Sequence, residues 1–307
     1  MKLLTFEKGD RVRLGILVDG RVVDLNASYA KLLLSPQGSA AEGISDLPSE
    51  MRAFLEAGDS AMKAARWVEK WARHSQDVAS HPLKDVRVRA PIQNPRKMIF
   101  IGRNYTVHAR DTGLGVPQEL CQACGFTKFP DTCIIGPEDP IVRPKLVKLL
   151  DWEGELAVII GREGKYIPLE SALDHVAGYM PANDLTAREF PIEQLFLQKN
   201  WDGSLPTGPY LVTADEVPDP QKLRLRLDVN GRVFQDASTG DMTFGVAYII
   251  HYVSQTITLK PGDVICTGTP GSGMSMNPPV FLQPGDRVTL EIEGLGRLSN
   301  PVVAEGG

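Results

Sequence analysis

The stretch DWEGELAVIIG, residues 151–161, sets the hardest condition on the fold: acids at one end, an uninterrupted apolar run at the other. Asp151, Glu153 and Glu155 alternate with Trp152 and Gly154, after which Leu156 to Ile160 are all apolar. Side chains along a strand alternate between its faces, so the spacing predicts a buried strand with three carboxylates on one side of its entrance. Like charges gathered at the mouth of a buried strand repel one another and lose hydration. A chain that folds this way has to place positive charge among them.

At 307 residues, 42% of them hydrophobic, the chain is long enough for one large domain with a smaller companion. A net charge of −5 and the lack of any Lys/Arg-rich run argue against a nucleic-acid partner. The apolar segment in MKLLTFEKGD is too short for a signal peptide, and LAVII and VAYII fall well below a membrane span. A cytoplasmic protein without a membrane partner is the expectation. Four cysteines, Cys121, Cys124, Cys133 and Cys266, are too sparse for a disulfide scaffold. CQAC with Cys133 offers three zinc donors where a closed structural site takes four, so reduced loop thiols are expected.

In LLTFEKGDRVRLGILVDGRVVDLN, the turns KGD and VDGR separate β-rich segments, which predicts an antiparallel meander. Residues 49–73 carry apolar residues at helical spacing, with Gly58-Asp59 dividing them into two helices. Residues 74–96, with Pro82, Pro91 and Pro95, read as a linker. The expected domains are therefore 1–90 and 91–307. Beyond the boundary, KMIFIG, LAVIIG, YLVT, LRLRLDVNGRVF, DVICTG and RVTLEIEGLGRL read as strands, VNGR as a hairpin turn and two Pro-Gly-Asp sequences as turns into strands. Helical patterns cover only 170–177, 190–198 and 243–256. The fold class is α+β, with a curled mixed sheet as its core.

A second acidic element, ANDLTAREF, places Asp184 where the apolar stretch HVAGYM would end as a strand. If that strand neighbours 155–161, Asp184 joins Glu153 and Glu155. Three carboxylates with no Cys or His beside them suit a hard cation (Mg2+, Mn2+ or Ca2+) and leave positions open for water or substrate. The competing reading is solvated strand-end acids paired with Arg162, Arg188 or Lys165. In IGRNYTVHARDTG, His108 and Asp111 stand three apart, so one helical turn would let the carboxylate orient the imidazole, as water activation requires; a surface ion pair is the plainer reading. Lys199 precedes a Gly-Pro-rich loop, where it could neutralise an enolate or simply be exposed. GTPGSGMS holds neither a nucleophile elbow nor a Walker lysine, and His74, His81, His175 and His251 have no partners at ligand spacing.

Taken in order, IGRNYTVHARDTG, TKFPDTCIIGPEDPI, DWEGELAVIIG, AGYMPANDLTARE, QKNWDGSLPTGPYLVT and the TGTP-containing tail resemble the fumarylacetoacetate hydrolase family over about residues 97 to 298. The resemblance implies a β-rich mixed-sheet roll with a small N-terminal α+β domain, a bound Mg2+ or similar cation, and a homodimer. It implies a small keto acid as substrate, typically a 1,3-dicarbonyl acid, as in relatives that hydrolyse acylpyruvates or diketo-deoxy sugar acids. It makes Glu153, Glu155 and Asp184 the metal ligands, His108 with Asp111 the water-activating dyad, and Lys199 the group that stabilises developing charge. Arg103, Tyr105, Arg188 and Thr269 fall to substrate binding, and Asp151 stands outside the ligand set.

Three positions depart from the family pattern: Asp111 where Glu is common, Pro191 where Gln is common, and the cysteines of ELCQACGF in a segment that acts as a lid in relatives. The leading expectation is metal-dependent hydrolysis of a C–C bond, releasing pyruvate or a similar acid. The alternatives are isomerisation, tautomerisation or decarboxylation on the same site, or a catalytically impaired metal-binding protein.

Overall fold

The computed structural model describes residues 1–35, 47–111 and 115–306, apart from the side chains of Asp111 and Cys124. The meander forms as expected, from strands Lys2–Lys8, Arg11–Val18 and Arg21–Asp24. It is continuous with the rest of the molecule. Lys2 and Leu3 pair with Val212 and Leu211, while Thr5, Phe6 and Glu7 pair with Arg89, Val88 and Arg87. The segment expected to be a linker is thus stitched into the sheet by Ser80–Pro82 and Arg87–Arg89. Pro82 is tolerated because its strand lies at the sheet's edge, where no ladder needs its missing N–H.

Among the described residues this sheet has eleven strands. From the meander it continues through Leu211–Thr213, Val176–Asn183, Gly154–Ile160, Val264–Cys266, Met98–Gly102 and Cys124–Phe126. A second sheet of five strands packs beside it, built around the hairpin Arg224–Val229 and Arg232–Ser238. The turn of that hairpin puts Asn230 (φ 53°) and Gly231 (φ 83°) in the left-handed region, as a two-residue turn matched to strand twist requires.

The apolar run that follows the acids has a direct explanation. Leu156, Val158 and Ile160 enter one hydrophobic core with Tyr179, Ile265 and Leu290. Ala157 and Ile159 enter another with Met180, Leu211 and Val264. A strand buried on both faces cannot alternate with polar residues, so it reads as a continuous apolar sequence. Gly154, at its start, is demanded by close approach: a Cβ there would meet Gln235 Oε1 at 2.6 Å and Leu290 Cδ1 at 2.8 Å.

Helices Met51–Glu56 and Gly58–His74 divide at Gly58, whose φ of 64° suits glycine. Ala61, Ala64, Ala65, Val68 and Ala72 of the second are buried at helical spacing. Helix Val246–Ser254 forms within its expected span. The segment expected as a helix at 170–177 is instead the 3-10 helix Leu169–His175. That expected at 190–198 opens as a 3-10 turn, Ile192–Gln194, before helix Leu195–Lys199. Pro168 and Pro191 stand at the N-caps of the two 3-10 segments.

Candidate active site

Strands Gly154–Ile160 and Val176–Asn183 pair antiparallel with Gly154 opposite Asn183, which brings the residues just outside each strand together. The Asp184 N–H donates to Glu153 O (2.8 Å), and the Glu153 N–H donates to Asn183 Oδ1 (3.0 Å). As a result, carboxylate oxygens of Glu153, Glu155 and Asp184 lie within 4.8 Å of one another, and all three residues are buried.

The expected row of three acids on one strand is not formed. Asp151 belongs to a separate two-residue strand, Leu150–Asp151, paired with Thr186–Ala187. Its Oδ1 accepts from the Gly273 N–H (2.6 Å) and Trp152 N–H (2.9 Å), and its Oδ2 from Arg188 Nε (2.8 Å). Arg188 also reaches Glu153 Oε1 through Nη2 at 2.5 Å. Of the partners weighed for the acids, Arg188 is therefore used; Arg162 and Lys165 are exposed beyond the strand's opposite end.

Lys199 is buried, not an exposed lysine. Its Nζ donates to Glu153 Oε2 (2.6 Å), Asp184 Oδ2 (2.5 Å) and Thr186 Oγ1 (2.7 Å). A second buried lysine, Lys128, lies 2.8 Å from Asp184 Oδ1. Nothing in TKFPDT marks it, because its burial arises from segments far away in sequence.

His108 sits on helix Thr106–Asp111, buried, with Nε2 3.9 Å from Glu153 Oε1, beyond hydrogen-bond reach. Its pairing with Asp111 lies outside the described residues, since that side chain is not among them. Thr269, on the TGTP loop, accepts from Gln235 Nε2 (2.7 Å) and donates to Gly271 O (2.8 Å). Next to it, the Gly268 N–H donates to Glu155 Oε2 (2.8 Å). Gly268 has φ 94°, and a Cβ there would meet Ile101 O at 2.6 Å, so glycine permits this approach.

His108, Arg103, Arg188, Lys199 and Thr269 line one small cavity of about 80 Å3 over the three carboxylates. Tyr105, expected with them, lines a different cavity beside Phe234 and Asp241. Its hydroxyl is buried without a hydrogen-bond partner among the described residues.

The electrostatics sort these groups. Burial raises the Glu153 carboxyl, but Lys199 and Arg188 outweigh it and hold the group well below the usual carboxylate range. Burial, reinforced by Asp184 and Glu153, pushes Glu155 well above that range. Burial would lower Lys199, yet Asp184 and Glu153 raise it, so it stays charged; burial lowers His108, so it stays neutral. An oxygen-only donor set whose Glu155 the protein's own cations leave uncompensated fits a hard divalent cation.

Among the described residues, Glu153, Glu155 and Asp184 form the one group of three or more His, Cys, Asp or Glu side chains placed to hold a metal ion. Cys121 is exposed, Cys133 and Cys266 are buried, all three are free thiols, and the Cys124 side chain lies outside the described residues. Among the described residues no helix is long and apolar enough to cross a membrane.

Residues 97–303 match the family model for the fumarylacetoacetate hydrolase C-terminal region. The chain is 40% identical to oxaloacetate tautomerase fahd2, mitochondrial, of Xenopus laevis, over 99% of this chain and 90% of that protein. It is 35% identical to oxaloacetate tautomerase YisK of Bacillus subtilis, over 98% of this chain and 100% of that one. It aligns with the crystal structure of maleylpyruvate hydrolase from Sphingobium sp. SYK-6 in complex with manganese(II) ion and pyruvate, with TM-score 0.76, 29% identity and 99% of each chain covered. Along with the E-x-E strand, the N-D-x-x-x-R element and the TGTP loop now seen around one cavity, these likenesses make the chain a member of the fumarylacetoacetate hydrolase family.

Proposed function

We propose that the protein is a divalent-metal-dependent tautomerase of a small α-keto acid of the oxaloacetate class, interconverting its enol and keto forms. The carrying observation is that relatives from a frog and a bacillus, each matching nearly the whole chain, bear this same activity in their names. The isomerase alternative thereby gains over the hydrolytic reading expected from the sequence.

The site meets the demands of that reaction. A divalent cation held by Glu153, Glu155 and Asp184, whether Mg2+ or Mn2+, would supply Lewis acidity to the keto acid's oxygens. Arg188 and Arg103 on the cavity wall offer guanidinium groups to a carboxylate. Converting enol to keto removes a proton from the hydroxyl and delivers one to the neighbouring carbon. His108, kept neutral by burial, takes the hydroxyl proton and returns it to that carbon, while Lys199, kept charged by its two carboxylates, stabilises the enolate formed between the two transfers. The small cavity suits a small acid.

The second reading, hydrolysis of a 1,3-dicarbonyl acid, is favoured by the likeness to maleylpyruvate hydrolase. One experiment separates them. Enol oxaloacetate and a panel of acylpyruvates are supplied with Mg2+ in ¹⁸O-labelled water, following loss of enol absorbance and the mass of the products. Accelerated loss of the oxaloacetate enol, with acylpyruvates left intact, is expected, and His108→Ala should slow it by about two to four orders of magnitude. Label in a carboxylate released from an acylpyruvate, with no acceleration on oxaloacetate, would establish the hydrolase instead.

A further inference from the structure

Lys128 ranks among the largest fully buried side chains of the protein, and its ammonium is held by two backbone carbonyls. Nζ donates to Leu185 O (3.0 Å) and Ser204 O (2.7 Å), faces the Trp201 ring at 5.4 Å, and stands 2.8 Å from Asp184 Oδ1. Leu185 directly follows Asp184. Ser204 belongs to the segment after Lys199, and its hydroxyl donates back to Lys199 O (2.9 Å). One ammonium therefore ties together the two chain segments that deliver Asp184 and Lys199.

The three carboxylates share a pattern. A positive or N–H group stands at an oxygen of each: Arg188 donates to Glu153 Oε1, the Gly268 N–H donates to Glu155 Oε2, and the Lys128 ammonium forms an ion pair with Asp184 Oδ1 at 2.8 Å. The other oxygens of Glu153 and Asp184, Oε2 and Oδ2, converge on Lys199. Burying an ammonium is costly unless its partners are well placed, so an ammonium with carbonyls and a carboxylate around it is a built feature. Groups that orient metal ligands from behind fix which oxygen and which lone pair is presented.

We infer that Lys128 is a positioning residue of the metal centre: through its hydrogen bonds to Leu185 O and Ser204 O and its ion pair with Asp184 Oδ1, it fixes the backbone that carries Asp184 and the orientation from which that carboxylate would face the cation. The inference rests on reading Glu153, Glu155 and Asp184 as a cation site. Charge alone would act in the opposite direction, because a fixed positive group beside a ligand repels the incoming ion.

The sign of one measurement is therefore decisive. Metal-stripped wild-type protein and Lys128→Met are titrated with Mg2+ and with Mn2+ by calorimetry, with circular dichroism confirming that each is folded. Positioning gives roughly ten- to a hundredfold weaker binding in the variant, and an altered Mn2+ electron paramagnetic resonance spectrum as the Asp184 geometry relaxes. Unchanged affinity in a folded variant, with only the melting temperature lowered, would reduce Lys128 to a structural residue; tighter binding would make its effect electrostatic; either overturns the inference. If Lys128→Met does not fold, Lys128→Gln keeps one N–H donor for a carbonyl while removing the charge, and the same weakening is required of it. Failure of the wild type to bind either ion would instead remove the site reading itself.

Discussion

Lys199 Nζ bridges Glu153 Oε2 at 2.6 Å and Asp184 Oδ2 at 2.5 Å, joining the outer ends of two neighbouring strands through one buried ammonium. Removing one member of a buried ion pair leaves its partners uncompensated, at a cost of roughly 3–5 kcal/mol. Lys199→Met should therefore lower the melting temperature in chelator-treated buffer and abolish the proposed tautomerisation. Added Mg2+ or Mn2+ should recover much of the stability but none of the activity. Thermal unfolding with and without the ion checks this; an unchanged melting temperature in chelator would contradict it.

Glu155 supplies the test of the cation site. Glu155→Gln takes a charged oxygen from a hard cation, so Mg2+ and Mn2+ affinity should fall sharply while the fold persists. The pH dependence follows from the direction of its shift. Burial raises this carboxyl in the cation-free protein, so its stabilising contribution is fully present below the ordinary carboxylate range and is lost as pH rises through the elevated value. Cation binding needs the carboxylate, so affinity should rise across that same window, with release of a proton. Calorimetry in two buffers of different ionisation enthalpy would show the proton; identical heats in both would refute the coupling.

Gly154 tests the contact between the two sheets. An added methyl group would meet Gln235 Oε1 and Leu290 Cδ1 inside van der Waals distance. Gly154→Ala should destabilise the protein by about 1–3 kcal/mol, the usual range for overpacking a core. A lower urea midpoint at unchanged slope is the expected signature, and a midpoint equal to wild type would show that the sheets give way freely.

The thiols should behave as unlinked and metal-free. Cys121 should react promptly with a thiol reagent in the native protein, while Cys133 and Cys266 should react only on unfolding. Zinc that survives dialysis and is lost in Cys121→Ser would overturn this.

Much of the site was legible because strand ends are local features. The alternation from Asp151 into the apolar run places Glu153 and Glu155 at a strand mouth, and the end of HVAGYM places Asp184, whatever the remaining chain does. Antiparallel pairing of those two strands then suffices to join the three acids. The hairpin at Asn230-Gly231 and the break at Gly58 were equally readable, because each depends on the φ angles of one or two residues.

What the sequence by itself determined was this short-range chemistry: apolar periods, turn residues and the acids at strand ends. The tertiary structure alone decided which charges answer those acids. Lys128 reaches Leu185 across 57 positions and Ser204 across 76, and Asp151 reaches Gly273 across 122. The tertiary fold also decided that Tyr105 turns to a different cavity from His108, three residues later on the same segment, and that the presumed linker becomes sheet. Burial is a property of everything packed around a side chain, so a lysine in TKFPDT carries no mark of being charged and enclosed until the strands, the 184–186 turn and the 199–204 segment have closed around it.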